Sequence, residues 1–172
     1  MNGIPMVSFA AYSGTGKTTL IEKLVHSLKQ DGLRVAVIKH DAHDFDIDRE
    51  GKDSWRFTQA GAEISIICSE HKTAMVEQRP LSFPQIVTMV HDVDLILVEG
   101  YKQEALTQIG VCRAAVGKDF PADLSRYVAV VTDEVIPDVG IPQFGFDDIP
   151  QLKAFILANM GDFTHSGLYA RK

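Results

Sequence analysis

Short apolar runs alternate along the 172-residue chain with segments whose apolar residues recur at helical spacing. Met6 to Ala11 is a short, largely apolar run that stops at Tyr12-Ser13-Gly14-Thr15-Gly16. Lys17 to Gln30 then carries Leu20, Leu24, Val25 and Leu28 on one helical face. Gly32 ends that helix, and Val35 to Ile38 forms a second strand-like run. A strand-helix-strand unit of this kind predicts parallel pairing through a right-handed crossover.

Residues 39–54 are polar and read as loop, followed by a short helix near Ser54 to Ala60 that stops at Gly61. Strands are expected at Ile64 to Cys68 and Ala74 to Glu77. Ser82-Phe83-Pro84-Gln85 is a helix start, with Ser as cap and Gln three residues on. Leu95 to Val98 is a buried strand by its unbroken apolar run, and further strands are expected at Ile109 to Cys112 and Tyr127 to Val131. A last helix, about Pro150 to Asn159, carries Leu152, Phe155, Ile156 and Met160 and is closed by Gly161. The expected fold class is α/β, a mostly parallel sheet with helices on both faces. Without repeats or a linker, residues 1–172 read as one domain, and the tail 162–172 has no clear pattern.

Composition narrows the class. The chain has 45% hydrophobic and 23% charged residues, ordinary values for a globular domain. No apolar run approaches the roughly eighteen residues that cross a bilayer. No signal peptide is visible at the start, so the expectation is a cytoplasmic protein without membrane contact. With 17 Lys plus Arg against 23 Asp plus Glu, the formal net charge is −6, which disfavours nucleic acid as a partner. Cys68 and Cys112 lie far apart inside apolar stretches and read as small buried hydrophobes.

The candidate chemistry begins at Ala11-Tyr12-Ser13-Gly14-Thr15-Gly16-Lys17-Thr18, which fits the P-loop pattern except that Ala11 replaces its first Gly. Gly14 and Gly16 let backbone amides face a phosphate, and the following helix adds unpaired amides and a positive dipole end. Lys17 would reach the β and γ phosphates, and the Thr18 hydroxyl would hold Mg²⁺. Ser13, Thr15 and Thr19 complete the candidate nucleotide-binding set, on the P-loop nucleoside triphosphate hydrolase fold. The second half of such a site comes from an apolar strand ending in a carboxylate, and Asp94 to Gly100 supplies one. Glu99, at the strand's end, would hold Mg²⁺ or orient an attacking water, and the Gly100 amide would approach the γ phosphate. Lys17 and Glu99 are therefore the candidate catalytic residues. Asp94, at the opposite end, reads as a solvated strand start.

The loop after the second strand is dense in ligand-type groups. Lys39 to Arg56 holds six carboxylates against four Lys or Arg. A calcium loop counted from Asp44 would need glycine at Arg49 and glutamate at Trp55, so that reading fails. Two readings stay open. In one, Phe45 and Ile47 anchor the loop while Asp44 and Asp46 face water. In the other, His40 or Asp41 lies near the γ phosphate, and Lys52, Asp53 or Ser54 helps a substrate-bound state close.

Taken together, Ser13 to Leu20, Ile38-Lys39-His40 with His43, Asp46 and Asp48, Gly51-Lys52-Asp53-Ser54, Ala60-Gly61-Ala62 and Leu97 to Lys102 resemble the molybdopterin-guanine dinucleotide biosynthesis protein B (MobB) family. The resemblance covers about residues 5–113. It implies a homodimeric GTP-binding accessory protein with weak GTPase activity. Its partner would be the molybdenum cofactor guanylyltransferase, which attaches GMP to molybdopterin, so GTP, Mg²⁺ and molybdopterin are the implied ligands. The family's frequent Pro-Lys before the strand ending in Arg is Thr107-Gln108 here, while Arg113 remains. No Asn-Lys-x-Asp motif is present. Thr132-Asp133 follows a predicted strand, where a carboxylate would accept hydrogen bonds from guanine or simply stand in a turn. Two other functions use the same motif. A small-molecule kinase would close Arg113, Lys118 and Arg126 as a basic lid, and a metal-delivery GTPase would use His40 and His43.

Overall fold

The structure, a computed structural model, describes residues 3–41, 45–101, 103–117 and 119–163. These fall into two compact units, one formed by Met1–His40 with Val87–Lys172 and the other by Asp41–Ile86. Among the described residues, no helix is long and apolar enough to cross a membrane.

The first unit holds a six-stranded sheet whose neighbouring strands all run parallel. Its strands are β1 (Met6–Ala10), β2 (Val35–Lys39), β5 (Leu95–Glu99), β6 (Gln108–Cys112), β7 (Tyr127–Thr132) and β8 (Gln143–Phe144), in the order β2-β5-β1-β6-β7-β8. The pairing expected between the first two strands does not occur, because β5 lies between them. β1 and β5 are buried at all five positions, as strands covered on both faces must be. The more exposed β2 takes the edge. β8 went unread because two residues between Pro142 and Gly145 carry no periodicity.

Helices α1 (Lys17–Gln30) and α4 (Ile149–Ala158) lie on one face of this sheet. Leu20, Leu24 and Leu28 of α1 and Leu152 and Ile156 of α4 meet Val7, Phe9, Leu97, Ile109 and Val131 in one core. Phe163, in a short 3-10 turn at Met160–Phe163, is buried in the same core, so the patternless tail contributes an anchor. Residues 164–172 lie outside the described residues. The opposite face over β1 and β7, where an α-helix was expected, is instead covered by loop side chains, Phe120, Ala122, Ile136 and Ile141, and by Leu124 of a short 3-10 turn at Leu124–Arg126.

The second unit holds α2 (Asp53–Gln59) and an antiparallel ribbon of β3 (Ile64–Cys68) and β4 (Thr73–Glu77). Because β3 belongs to a two-stranded ribbon and not to the main sheet, Cys68 is exposed, contrary to the expectation of a buried thiol. Cys112 is half-buried. Helix α3 (Phe83–Met89) starts where the Ser82-x-x-Gln85 signal placed it: the Ser82 N–H and hydroxyl both donate to Gln85 Oε1, at 2.9 and 2.7 Å.

Candidate functional site

β1 sits at the point where the sheet's order reverses, with β5 leading to one edge and β6 to the other. The crevice beyond the carboxyl ends of the strands at such a point is where open α/β sheets take ligands. The glycine loop leaves β1 there. Gly14 and Gly16 have φ of +83° and +85°, a region that penalises any Cβ. Gly16 caps α1, its carbonyl accepting the Leu20 N–H at 3.0 Å. Thr15 is 2% exposed, and its hydroxyl donates to the Tyr12 carbonyl at 3.1 Å, so this side chain braces the loop from within. Ser13, Gly14, Thr18 and Thr19 are exposed around it.

Strand register brings the second half of the site alongside. Glu99 ends β5 opposite Phe9 of β1 on one side and Lys39 of β2 on the other. Glu99 is 8% exposed, and its carboxylate accepts the Thr18 hydroxyl hydrogen at 3.2 and 3.3 Å. Lys17 Nζ and Lys39 Nζ stand 3.7 and 3.8 Å from the same oxygen. A buried carboxylate is tolerated only when paired in this way. Lys17, Thr18 and Glu99 are thus brought together as the sequence placed them, and Lys39 is a further cation at the same carboxylate.

The turn after Glu99 is tightly built. Gly100 has φ +94°, and a Cβ there would stand 3.0 Å from the His40 Cβ and 3.1 Å from its carbonyl oxygen. No other residue fits without moving the backbone. The Ser8 hydroxyl donates to the Gly100 carbonyl at 3.3 Å, and the His40 N–H donates to the Glu99 carbonyl at 2.8 Å. The His40 ring meets Tyr101 edge-on at 4.8 Å, and burial, then Glu104, pushes the Tyr101 phenol upward.

Asp133 lies on the other side of the loop, beyond the end of β7. Its Oδ1 accepts the Ala114 N–H at 2.9 Å, and its Oδ2 is 4.0 Å from Arg113 Nη1. Arg113 spans the gap to the phosphate loop. Its Nε donates to the Thr15 carbonyl at 3.1 Å, and its guanidinium carbon stands 3.9 Å above the Phe146 ring centre. Beside it, Lys23 bonds Asp147 at 2.8 Å, and that hydrogen bond holds the Asp147 carboxyl below its ordinary range. Arg126 stands apart from Arg113 and lines a cavity of about 1200 Å³ with Cys112, Asp119, Phe120, Thr132 and Glu134. Burial, followed by Asp119, Asp133 and Glu134, raises the Cys112 thiol beside that cavity. Lys118 lies outside the described residues.

Sequence reasoning passed over Lys39 and Phe146 as site residues and left Arg113 without a fixed role. Lys39 carried a signal, being the residue where β2 emerges at the same edge. Phe146 carried none, because its partner lies 33 residues away and meets it only through the fold. Gln108 is buried at the start of β6, away from the carboxyl edge.

In the second unit, Asp48 Oδ1 accepts the Ser54 hydroxyl at 2.8 Å and the Arg49 N–H at 2.9 Å. Phe45 and Ile47 do not anchor that loop, being 70% and 77% exposed. Ala42, His43 and Asp44 lie outside the described residues, and no group of three or more His, Cys, Asp or Glu gathers among the described ones.

Residues 6–133 match the family model of molybdopterin guanine dinucleotide synthesis protein B, a span that takes in the glycine loop, Glu99, Arg113 and Asp133. The chain is similar to the molybdopterin-guanine dinucleotide biosynthesis adapter protein of Haemophilus influenzae, 36% identical over 159 residues that cover 90% of this chain and 89% of the relative. It is equally similar to that of Escherichia coli, 36% identical over 162 residues covering 90% and 92%. Among solved structures, that of Bacillus subtilis MobB superposes with a TM-score of 0.75 at 21% identity, covering 90% of this chain and 97% of the other.

Proposed function

The chain belongs to the molybdopterin guanine dinucleotide synthesis protein B family, and from that premise we propose that it is a GTP-binding adaptor in molybdenum cofactor biosynthesis. The observation that carries the nucleotide half of this reading is the convergence of Lys17 and Thr18 on Glu99 beside a glycine loop. Backbone amides of Gly14 and Gly16 and the start of α1 would cradle the β phosphate, with Lys17 reaching the β and γ oxygens. The Thr18 hydroxyl and the Glu99 carboxylate are hard oxygen donors 3.2 Å apart, the donor type that Mg²⁺ takes, so they fit that ion. Bound there, Mg²⁺ would offset the charge of the phosphates. Glu99 would then leave its lysines, and Lys39 would be free to meet the γ phosphate. Weak hydrolysis fits a site in which Glu99, the buried carboxylate among the described residues, would be shared between ion and water.

The adaptor half rests on the relatives, whose names describe adapter proteins of molybdopterin-guanine dinucleotide biosynthesis. The guanylyltransferase is the proposed partner and a homodimer the proposed form. Apolar side chains left exposed in the second unit, among them Phe57, Ile64, Ile66 and Met75, support a protein surface there.

Calorimetric titration of the chain with GTP and with ATP, both with Mg²⁺, tests the reading. Wild type is expected to bind GTP, and Lys17→Ala to lose at least about tenfold in affinity while keeping a wild-type circular dichroism spectrum. GTP affinity unchanged in that variant would overturn the site. In a reconstituted transferase reaction, the chain is expected to raise the yield of guanine dinucleotide; no effect would remove the adaptor role.

A further inference from the structure

We propose that Arg113, Phe146 and Asp133 form a purine-base subsite that selects guanine, with Arg113 tying it to the phosphate loop; this rests on the nucleotide-binding reading above. Three elements meet at Arg113. It follows β6, its Nε holds the Thr15 carbonyl of the glycine loop at 3.1 Å, and its Nη1 faces Asp133 beyond β7 at 4.0 Å. Its guanidinium carbon lies 3.9 Å over Phe146, which follows β8. A planar guanidinium packed on an aromatic ring makes a flat wall, and such walls take heteroaromatic rings by stacking.

The chemistry of the rim decides which ring. Guanine presents two adjacent donors, a ring N–H and an amino group, and one carboxylate can accept both. Adenine presents an acceptor nitrogen at the same place, which a carboxylate repels. Asp133 spends one oxygen on the Ala114 N–H, which fixes its orientation, and keeps further lone pairs for a ligand. The side chains of Asp133 and Arg113 are 35% and 37% exposed, so a ring can reach them. A site built to accept two donors rejects a ring lacking them strongly, because its own groups are left unpaired. This pair supplies what the missing Asn-Lys-x-Asp motif would otherwise do. Gly16 belongs to the arrangement, since a Cβ there would stand 3.3 Å from Arg113 Nη2.

The test is calorimetric titration of GTP and ATP, with Mg²⁺, into wild type, Asp133→Asn, Arg113→Ala, Arg113→Lys and Phe146→Ala, each first checked for an unaltered circular dichroism spectrum. Wild type is expected to prefer GTP. Asp133→Asn is expected to lose that preference by tenfold or more with ATP affinity little changed, which a merely structural carboxylate would not do. Phe146→Ala and both Arg113 variants are expected to weaken GTP by several-fold, with lysine no better than alanine because it lacks the flat face. Wild-type preference and affinity in Asp133→Asn and Phe146→Ala would overturn the subsite while leaving nucleotide binding intact. An equal fall for GTP and ATP in every variant would assign these residues to loop geometry and also overturn it. No binding of either nucleotide by wild type would instead defeat the functional reading on which the proposal stands.

Discussion

Gly110 shows how little room single residues have beside the site. It lies in β6, two residues before the strand's end, and a Cβ built there would stand 2.8 Å from Phe120 and 2.9 Å from Tyr127. Tyr127 cannot simply swing aside. The two rings pack at 5.6 Å, and the Tyr127 hydroxyl is tethered by the Ala122 N–H at 3.0 Å. Gly110→Ala is therefore expected to destabilise by about 1–3 kcal/mol, the usual range for overpacking a filled core. In a chain of this size that is a fall of several degrees in melting temperature. A thermal melt equal to wild type would mean that the two rings repack freely. Gly100 differs in kind, since both its φ of +94° and its approach to His40 confine it to glycine.

At the scale of elements, β5 joins two ends of different character. Glu99 at its carboxyl end faces Thr18 and two lysines, whereas Asp94, just before its start, takes the Arg34 backbone N–H at 2.8 Å and its guanidinium at 3.0 and 3.3 Å. Asp94 is thus a pin between the starts of β2 and β5, more than the solvated residue its sequence position suggested. The Arg34 hydrogen bonds hold the Asp94 carboxyl below its ordinary range and raise the Arg34 guanidinium. A depressed carboxylate stabilises the fold above its unfolded pKa of about 4, and that contribution is lost as pH falls through the lower folded value. Asp94→Asn is expected to melt slightly below wild type at pH 7, with the gap narrowing as pH falls below about 4. A gap of constant size across that range would attribute the effect to packing rather than charge. The exposure of the pair keeps the effect small.

The same scale shows what the chain made legible. α1 was readable because its leucines recur on one face and glycines bound it, and β5 because four apolar residues run unbroken into a carboxylate. Strand order was not readable, since the insertion of β5 between β1 and β2 depends on which strands bury both faces. Lys17, Thr18 and Glu99 were visible in local motifs. Arg113 and Phe146 met only after β6, β7 and β8 had stacked side by side.

For the whole molecule, the uneven placement of apolar surface matters most. Of the eleven large hydrophobic side chains exposed among the described residues, seven belong to the unit Asp41–Ile86: Phe45, Ile47, Phe57, Ile64, Ile66, Ile67 and Met75. On the β3–β4 ribbon, Ile64 and Ile66 share a face with Met75, which is the register partner of Ile66. A two-stranded ribbon with an uncovered apolar face is marginal by itself, so a second copy seated there would bury what the chain leaves open. For the proposed homodimer, wild type is expected to sediment as a dimer and Ile66→Glu to shift toward monomer with the circular dichroism spectrum unchanged; a wild-type monomer would remove the proposed dimer, and an Ile66→Glu dimer of wild-type strength would place the contact elsewhere. Salt gives an independent sign. Two copies each carrying a formal charge of −6 repel, and raising ionic strength screens that repulsion while leaving apolar burial in place. Dimerisation through this face should therefore strengthen from low to physiological salt, whereas weakening would mark a contact held by ion pairs.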